Sequence, residues 1–245
     1  MTTKLFQTLA AATTLAGIVA TAGAANAASL SYSSQYQYKP TDEAASADGY
    51  YITDIKDTIS VQKFNSALGT LKSVTIEFIG NLKGDAGFEN RSNNAATVLV
   101  NLAGTLNLQL PEGVDRFELN PEQSYSYTVA RRDGVLDYAG TSGRTVAGLS
   151  AGITETKTFA DSSFLQYFLG QGTTDFTFLA TANSSISGPG NLASYVTTLA
   201  SANVNVTYNY DPKAVPEPSA AIGLGLVAGI GLMSQRRKSW LKASN

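Results

Sequence analysis

The sequence predicts an all-β protein: an antiparallel β-sandwich with one short helix, preceded by an N-terminal signal helix and followed by a C-terminal transmembrane helix. Three observations predict it. Apolar residues recur with a period of two along residues 28–211, clusters of turn residues punctuate those runs, and each end is an apolar stretch lacking acidic side chains apart from Glu217. Once both ends are set aside, a middle of roughly 185 residues remains, a length that suits one well-buried core.

Residues 1–27 have the three parts of a signal peptide. Lys4 supplies the positive start, Leu5 to Ala24 is uncharged and rich in Leu, Ala, Ile and Val, and Ala25-Asn26-Ala27 presents the small residues that signal peptidase requires. Cleavage between Ala27 and Ala28 is the expectation, with residues 1–27 excluded from the folded domain.

The middle, residues 28–211, is built of alternating runs. Leu30, Tyr32, Tyr36 and Tyr38 open it, and Val74, Ile76 and Phe78 alternate with Thr75 and Glu77, the pattern of a strand with one dry and one wet face. Val98, Val100, Leu102, Leu106, Leu108 and Leu110 keep one parity through Gly104, which predicts a single long strand bent or bulged there. Further runs are Tyr125, Tyr127 and Val129; Phe176, Phe178, Ala180 and Ala182; and Ala202, Val204, Val206, Tyr208 and Tyr210. Turns are expected at Gly84-Asp85, Ser92-Asn93-Asn94, Asp133-Gly134, Ser142-Gly143 and Gly188-Pro189-Gly190. Asp161 or Ser162 is placed to cap one helix, whose apolar face is Phe164, Leu165, Phe168 and Leu169 and whose end is Gly170.

Residues 212–245 divide into a linker and motif (212–219), an apolar span (220–233) and a basic tail (234–245). The alternate prolines around Val215, Pro216, Glu217 and Pro218 forbid a helix and favour an extended, accessible backbone. The span that follows is apolar or Gly throughout and is closed by Arg236, Arg237 and Lys238, the order of a stop-transfer signal. At about 1.5 Å per residue it measures about 21 Å, short of the ~30 Å hydrocarbon layer unless flanking residues extend it while the arginines snorkel. Basic residues stay on the cytoplasmic side, so the domain would be stranded outward.

That order of motif, apolar span and basic cluster resembles the PEP-CTERM sorting signal. The resemblance implies that an exosortase recognises Pro216, Glu217 and Pro218 and removes the tail at the inner membrane. The protein would then be released or reattached at the cell surface or in the extracellular matrix of a Gram-negative-type envelope. Within the middle, Ile59-Ser60-Val61-Gln62-Lys63-Phe64, Leu68-Gly69-Thr70-Leu71, Glu89-Asn90, the run from Thr97 to Leu110, Gly190-Asn191-Leu192 and the final strand resemble the choice-of-anchor E domain. That resemblance implies location and no catalytic residue.

Composition narrows the chemistry. Charged residues make up 15 % of the chain against about 25 % in an average soluble domain. Between Ala28 and Pro218 there are 12 basic and 19 acidic side chains, a net of −7, which argues against nucleic acid as a partner. Histidine and cysteine are absent, so disulfides, thiolate or imidazole metal sites, His-ligated haem and Ser-His-Asp triads are not available to this chain. No cofactor is expected.

Three site readings remain. A carboxylate pair of the glycosidase kind would draw on Glu77, Glu89, Glu118, Glu155 and Asp175, though Glu77 and Glu155 are more simply solvent-facing strand residues. A calcium loop would draw on Asp54 and Asp57, or on Asp42, Glu43 and Asp48, but the spacing matches no known calcium repeat and a solvated acidic loop is the simpler account. Tyr36, Tyr38, Tyr50 and Tyr51 would make a sugar-stacking surface for an exopolysaccharide, or be ordinary strand residues. The expected function is therefore a non-enzymatic exported surface protein, with a carbohydrate-binding module second and a glycosidase third.

Overall fold

The computed structural model describes residues 14–19, 27–37, 48–111 and 115–213. Its strands are β1 (Thr14–Val19), β2 (Ala28–Gln35), β3 (Tyr51–Ile52), β4 (Ile55–Gln62), β5 (Gly69–Asn90) and β6 (Ala96–Gln109). There follow β7 (Arg116–Leu119), β8 (Glu122–Val129), β9 (Gly143–Phe159), the helix α1 (Ser162–Leu165) with a 3-10 turn at Gln166–Phe168, β10 (Thr173–Ala182), β11 (Ser185–Ser187) and β12 (Leu192–Pro212). They form two six-stranded sheets. The first runs β1-β2-β12-β5-β9 with β3 beside β12; the second runs β11-β6-β10-β4, with β7 and β8 on the other flank of β6. All pairings between these strands are antiparallel.

Alternation puts one side of each sheet into a shared core. Phe78 of β5 lies 6.0 Å, ring to ring, from Phe117 of β7 and 6.2 Å from Phe178 of β10, so aromatic rings bridge the two sheets. Phe64, Phe88, Phe168, Phe176 and Tyr208 are likewise fully buried. Each such ring contributes about 2 to 3 kcal/mol by leaving water. In a chain without disulfides this burial is the main stabilising term.

Several expectations meet the structure directly. The runs at 98–110, 125–129 and 176–182 are strands, and Ser92-Asn93-Asn94, Asp133-Gly134 and Gly188-Pro189-Gly190 lie between strands. Gly84-Asp85 is not a turn: it lies inside the 22-residue β5, where Asp85 pairs with Thr197 of β12. A Cβ on Gly84 would come within 2.5 Å of the Thr197 carbonyl oxygen, so the glycine serves close strand approach, and the register with β9 shifts there. Ser142-Gly143 is the entry to β9, a 17-residue edge strand exposed along much of both faces, of which the period-two pattern marks only the stretch around Glu155. Gly104 marks a change of neighbours, since β8 pairs with β6 up to Ala103 and β7 from Leu106 onward. The helix forms where expected, with Phe164, Leu165 and Phe168 buried, but the Asp161 side chain makes no capping bond and Leu169 is 36 % exposed.

Thr14–Val19, inside the stretch read as a leader, pairs with β2 as β1. The rest of residues 1–26, Ala25 included, lies outside the described residues, as do Tyr38, Asp42, Glu43 and the tail from residue 214 with its sorting motif, apolar span and basic cluster. Among the described residues no helix is long and apolar enough to cross a membrane. Contacts divide the chain into Met1–Pro212 and Lys213–Asn245.

Register fixes the two ends of the sandwich. Ala28 pairs with Tyr210 and Gly69 with Pro212, so entry into β2 and exit from β12 share one end, the base. Asn90 pairs with Leu192 at the other end, the apex. Along the 21 residues of β12 the two ends stand about 65 Å apart at about 3.3 Å per residue.

Candidate functional site

The apex is assembled from three connections: β5 to β6 (residues 91–95), β8 to β9 (residues 130–142) and β11 to β12 (residues 188–191). Asn90, fully buried at the end of β5, ties the first two together. Its Nδ2 donates to the carbonyls of Asn94 and Ala130, both at 2.8 Å, and its Oδ1 accepts the Ser92 N–H at 2.9 Å. The third is held by the Arg91 N–H, which donates to the Asn191 carbonyl at 2.9 Å, and by Asn191 Nδ2, which donates to the Arg91 carbonyl at 3.2 Å. A buried amide with every polar group used is a rigid anchor, so the loops have a defined geometry.

Glu89 is 1 % exposed. One carboxylate oxygen accepts from the Ser142 hydroxyl, and the other, Oε2, is buried without a hydrogen-bond partner. The room for it exists only because residue 143 is glycine: a Cβ there would stand 1.9 Å from Glu89 Oε2. Glu89 therefore braces the start of β9 against the end of β5.

Above this scaffold lie charge and aromatic surface. Four of the five arginines between Ala28 and Pro218, namely Arg91, Arg131, Arg132 and Arg144, sit at the apex and all are exposed. Arg144 lies over the Tyr127 ring at 4.9 Å, whereas Arg91, Arg131 and Arg132 have no ion pair among the described residues. Arg91, Arg132, Asn191, Val135 and Leu136 line a cleft of about 190 Å³ floored by Asn90. Val135 and Leu136 are 60 % and 54 % exposed. From the same loop Tyr138, held at a φ of 54°, meets the 44 % exposed Tyr195 of β12 edge to face at 5.1 Å. Tyr195 in turn covers Gly87, where a Cβ would stand 2.2 Å from its ring.

No family model matches the chain, and no curated protein matches it. One solved structure, titled "Structure of infectious bursal disease virus Gx strain", is similar at 13 % identity and a TM-score of 0.10. The match covers 84 % of this chain and 58 % of that one, and so low a score carries no argument about fold or function.

The structure separates the carboxylates that the sequence offered as a pair. Glu77 lies on the outer face of the first sheet, taking a 2.6 Å bond from Asn205 Nδ2, while Glu155, opposite Phe78, points to the other face of that sheet. Glu118 and Asp175 share the outer face of the second sheet. Two strand spacings and four residues separate them, about 16 Å, beyond the roughly 5 to 9.5 Å that glycoside hydrolysis uses. Each is otherwise engaged, Glu118 with Arg116 at 3.1 Å and Asp175 with Ser60 Oγ at 2.7 Å. Of these five acids only Glu89 lies at the apex, where Asp133 and Asp137 of the 130–142 connection accept the Val135 and Ala139 N–H groups at 2.9 and 3.0 Å.

Of the calcium candidates, Asp42 and Glu43 lie outside the described residues. Asp57 Oδ1 accepts the Thr58 N–H, Asp48 pairs with Lys83 at 3.4 Å, and among the described residues no three acids gather at one point. Tyr36 is a correction: at 2 % exposure it is a core residue, packed edge to face on Tyr51 at 5.1 Å and against Phe178 at 5.2 Å. It keeps the inward parity of Leu30 and therefore offers no ring to a sugar. Tyr51 packs partly buried beside it, and Tyr50 lies beneath Lys83 Nζ at 4.3 Å. The aromatic surface is instead the exposed Tyr195 with the half-buried Tyr138 packed on it, which sequence reading missed. The turn signals at Ser92-Asn93-Asn94, Asp133-Gly134, Ser142-Gly143 and Gly188-Pro189-Gly190 marked the apex connections, but not that they meet.

Proposed function

We propose that this chain is an exported, non-enzymatic surface or extracellular-matrix protein. Signal peptidase would process it after Ala27 and an exosortase at Pro216, Glu217 and Pro218, so that the β domain is presented outside the inner membrane of a Gram-negative-type envelope. The observation that carries this reading is the ordered tail, in which the motif, the apolar span and the cluster Arg236, Arg237 and Lys238 follow directly on the domain's last strand. The position of Ala28 supports it, since this is the first residue of β2 and a cut before it leaves β2 to β12 whole. Cleavage would remove β1 and leave β2 as an edge. The dispersal of Glu77, Glu118, Glu155 and Asp175 weighs against the carboxylate-pair glycosidase alone.

Mass spectrometry of the protein recovered from cells tests the proposal through both termini. The expected result is a chain that starts at Ala28 and ends within or just after the proline-rich motif, recovered from the envelope or medium. An uncut chain in the cytosol would refute it.

A further inference from the structure

We infer that the apex is a binding surface for an anionic polysaccharide, a sugar polymer bearing carboxylate or sulfate groups. The inference rests on the surface-display reading for its setting and on the apex alone for its chemistry. A domain that is acidic overall places four of its five arginines at one end, and three of them have no ion pair among the described residues. Unpaired guanidiniums on a net negative body select an anionic partner and direct it to the apex, because the rest of the protein's surface repels it.

The surroundings of Arg91 and Arg132 suit a sugar rather than a bare ion. Asn191 Oδ1 has no protein partner among the described residues and is an acceptor for a hydroxyl. Val135 and Leu136 give the cleft an apolar rim, and the Tyr138 and Tyr195 pair offers a ring face against which the C–H side of a pyranose packs. The buried Asn90 anchor and the Glu89 brace hold these groups in place before any ligand arrives, which lowers the ordering cost of binding.

The apex lies at the opposite end of β12 from Pro212, where the chain leaves the sandwich, and its aromatic and apolar surface favours a sugar polymer over a lipid headgroup.

The test uses the full chain in mild detergent, titrated with polygalacturonate, with neutral dextran and with soluble glycerol phosphate, the phosphatidylglycerol headgroup. The expected result is binding to polygalacturonate that weakens steeply between about 50 and about 200 mM salt, with none to dextran and less to glycerol phosphate. The double variant Arg91→Ala/Arg132→Ala should lose about fivefold or more in affinity with unchanged melting, and Tyr195→Ala should lose about as much. Lys56→Ala/Lys63→Ala, which removes two cations remote from the apex, should bind as the parent does. Equal loss in the lysine variant, preference for glycerol phosphate, equal binding of dextran, or no binding to polygalacturonate would each overturn the inference. Correctly processed termini together with absent binding would sink this inference while leaving the surface-display proposal standing.

Discussion

Replacing Gly143 by alanine tests the brace on which the apex is built. The added Cβ would stand 1.9 Å from Glu89 Oε2, 2.7 Å from the Ala139 nitrogen and 2.8 Å from the Ala139 oxygen. Normal contact needs well over 3 Å, so either the carboxylate retreats and gives up its bond from Ser142, or the ends of β5 and β9 part. Overpacking of this kind costs about 1 to 3 kcal/mol, and a buried hydroxyl deprived of its partner costs about 1 to 3 kcal/mol more. The sum, about 2 to 6 kcal/mol, corresponds to a fall in Tm of about 4 to 24 °C for a domain of this size. Differential scanning calorimetry of Gly143→Ala, Glu89→Ala and the double variant separates the causes. Because the contact with Ala139 remains, the glycine substitution should still cost something in the Glu89→Ala background, but less than in the parent by about 1 to 3 kcal/mol. A Gly143→Ala melting point within about 2 °C of the parent, or strict additivity of the two substitutions, would refute the reasoning.

Two other substitutions probe the core and the open edge. Tyr208 is buried and donates to the Gln62 carbonyl at 2.7 Å, and burial, with a smaller contribution from Tyr32, pushes its phenol above the ordinary tyrosine value. Because the folded value is the higher one, its contribution is complete below about pH 10 and is lost as pH rises through the folded value; Tyr208→Phe should cost about 1 to 2 kcal/mol near neutrality and soften the alkaline loss of stability, as followed by denaturant melts across that range. Tyr125 Oη donates to the Ser150 carbonyl at 2.8 Å and accepts the Ser150 N–H at 3.0 Å, so a β8 side chain occupies both main-chain groups at one point of the edge strand β9. Tyr125→Phe should cost about 0.5 to 1.5 kcal/mol and raise self-association in light scattering by baring an edge; an unchanged monomer of parental stability would contradict that role.

How much was legible follows from which faces are dry. β6, β8, β10 and the second half of β12 alternate cleanly because one face of each meets the core. β9 carries that signal only around Glu155, being an edge with Gly148 and Gly152 along its first half. The Gly84-Asp85 pair carries the local signature of a turn, yet pairing with β12 on one side and β9 on the other keeps the chain extended through it. Tyr36 and Tyr195 are both tyrosines in or beside β runs, and only their strand partners determine that one is core and the other surface.

The amino-acid order by itself determined the all-β character, the apolar ends with their punctuation, and the chemistry excluded by the lack of histidine and cysteine. Tertiary structure decided that Glu89 is buried, that the other acids stand apart, and that Arg91, Arg132, Tyr138 and Tyr195 share one end of the sandwich. The physical reason is the range of each effect. Alternation and turn propensity act between near neighbours along the chain, whereas the apex joins segments drawn together only by hydrogen-bonded register between strands distant in sequence.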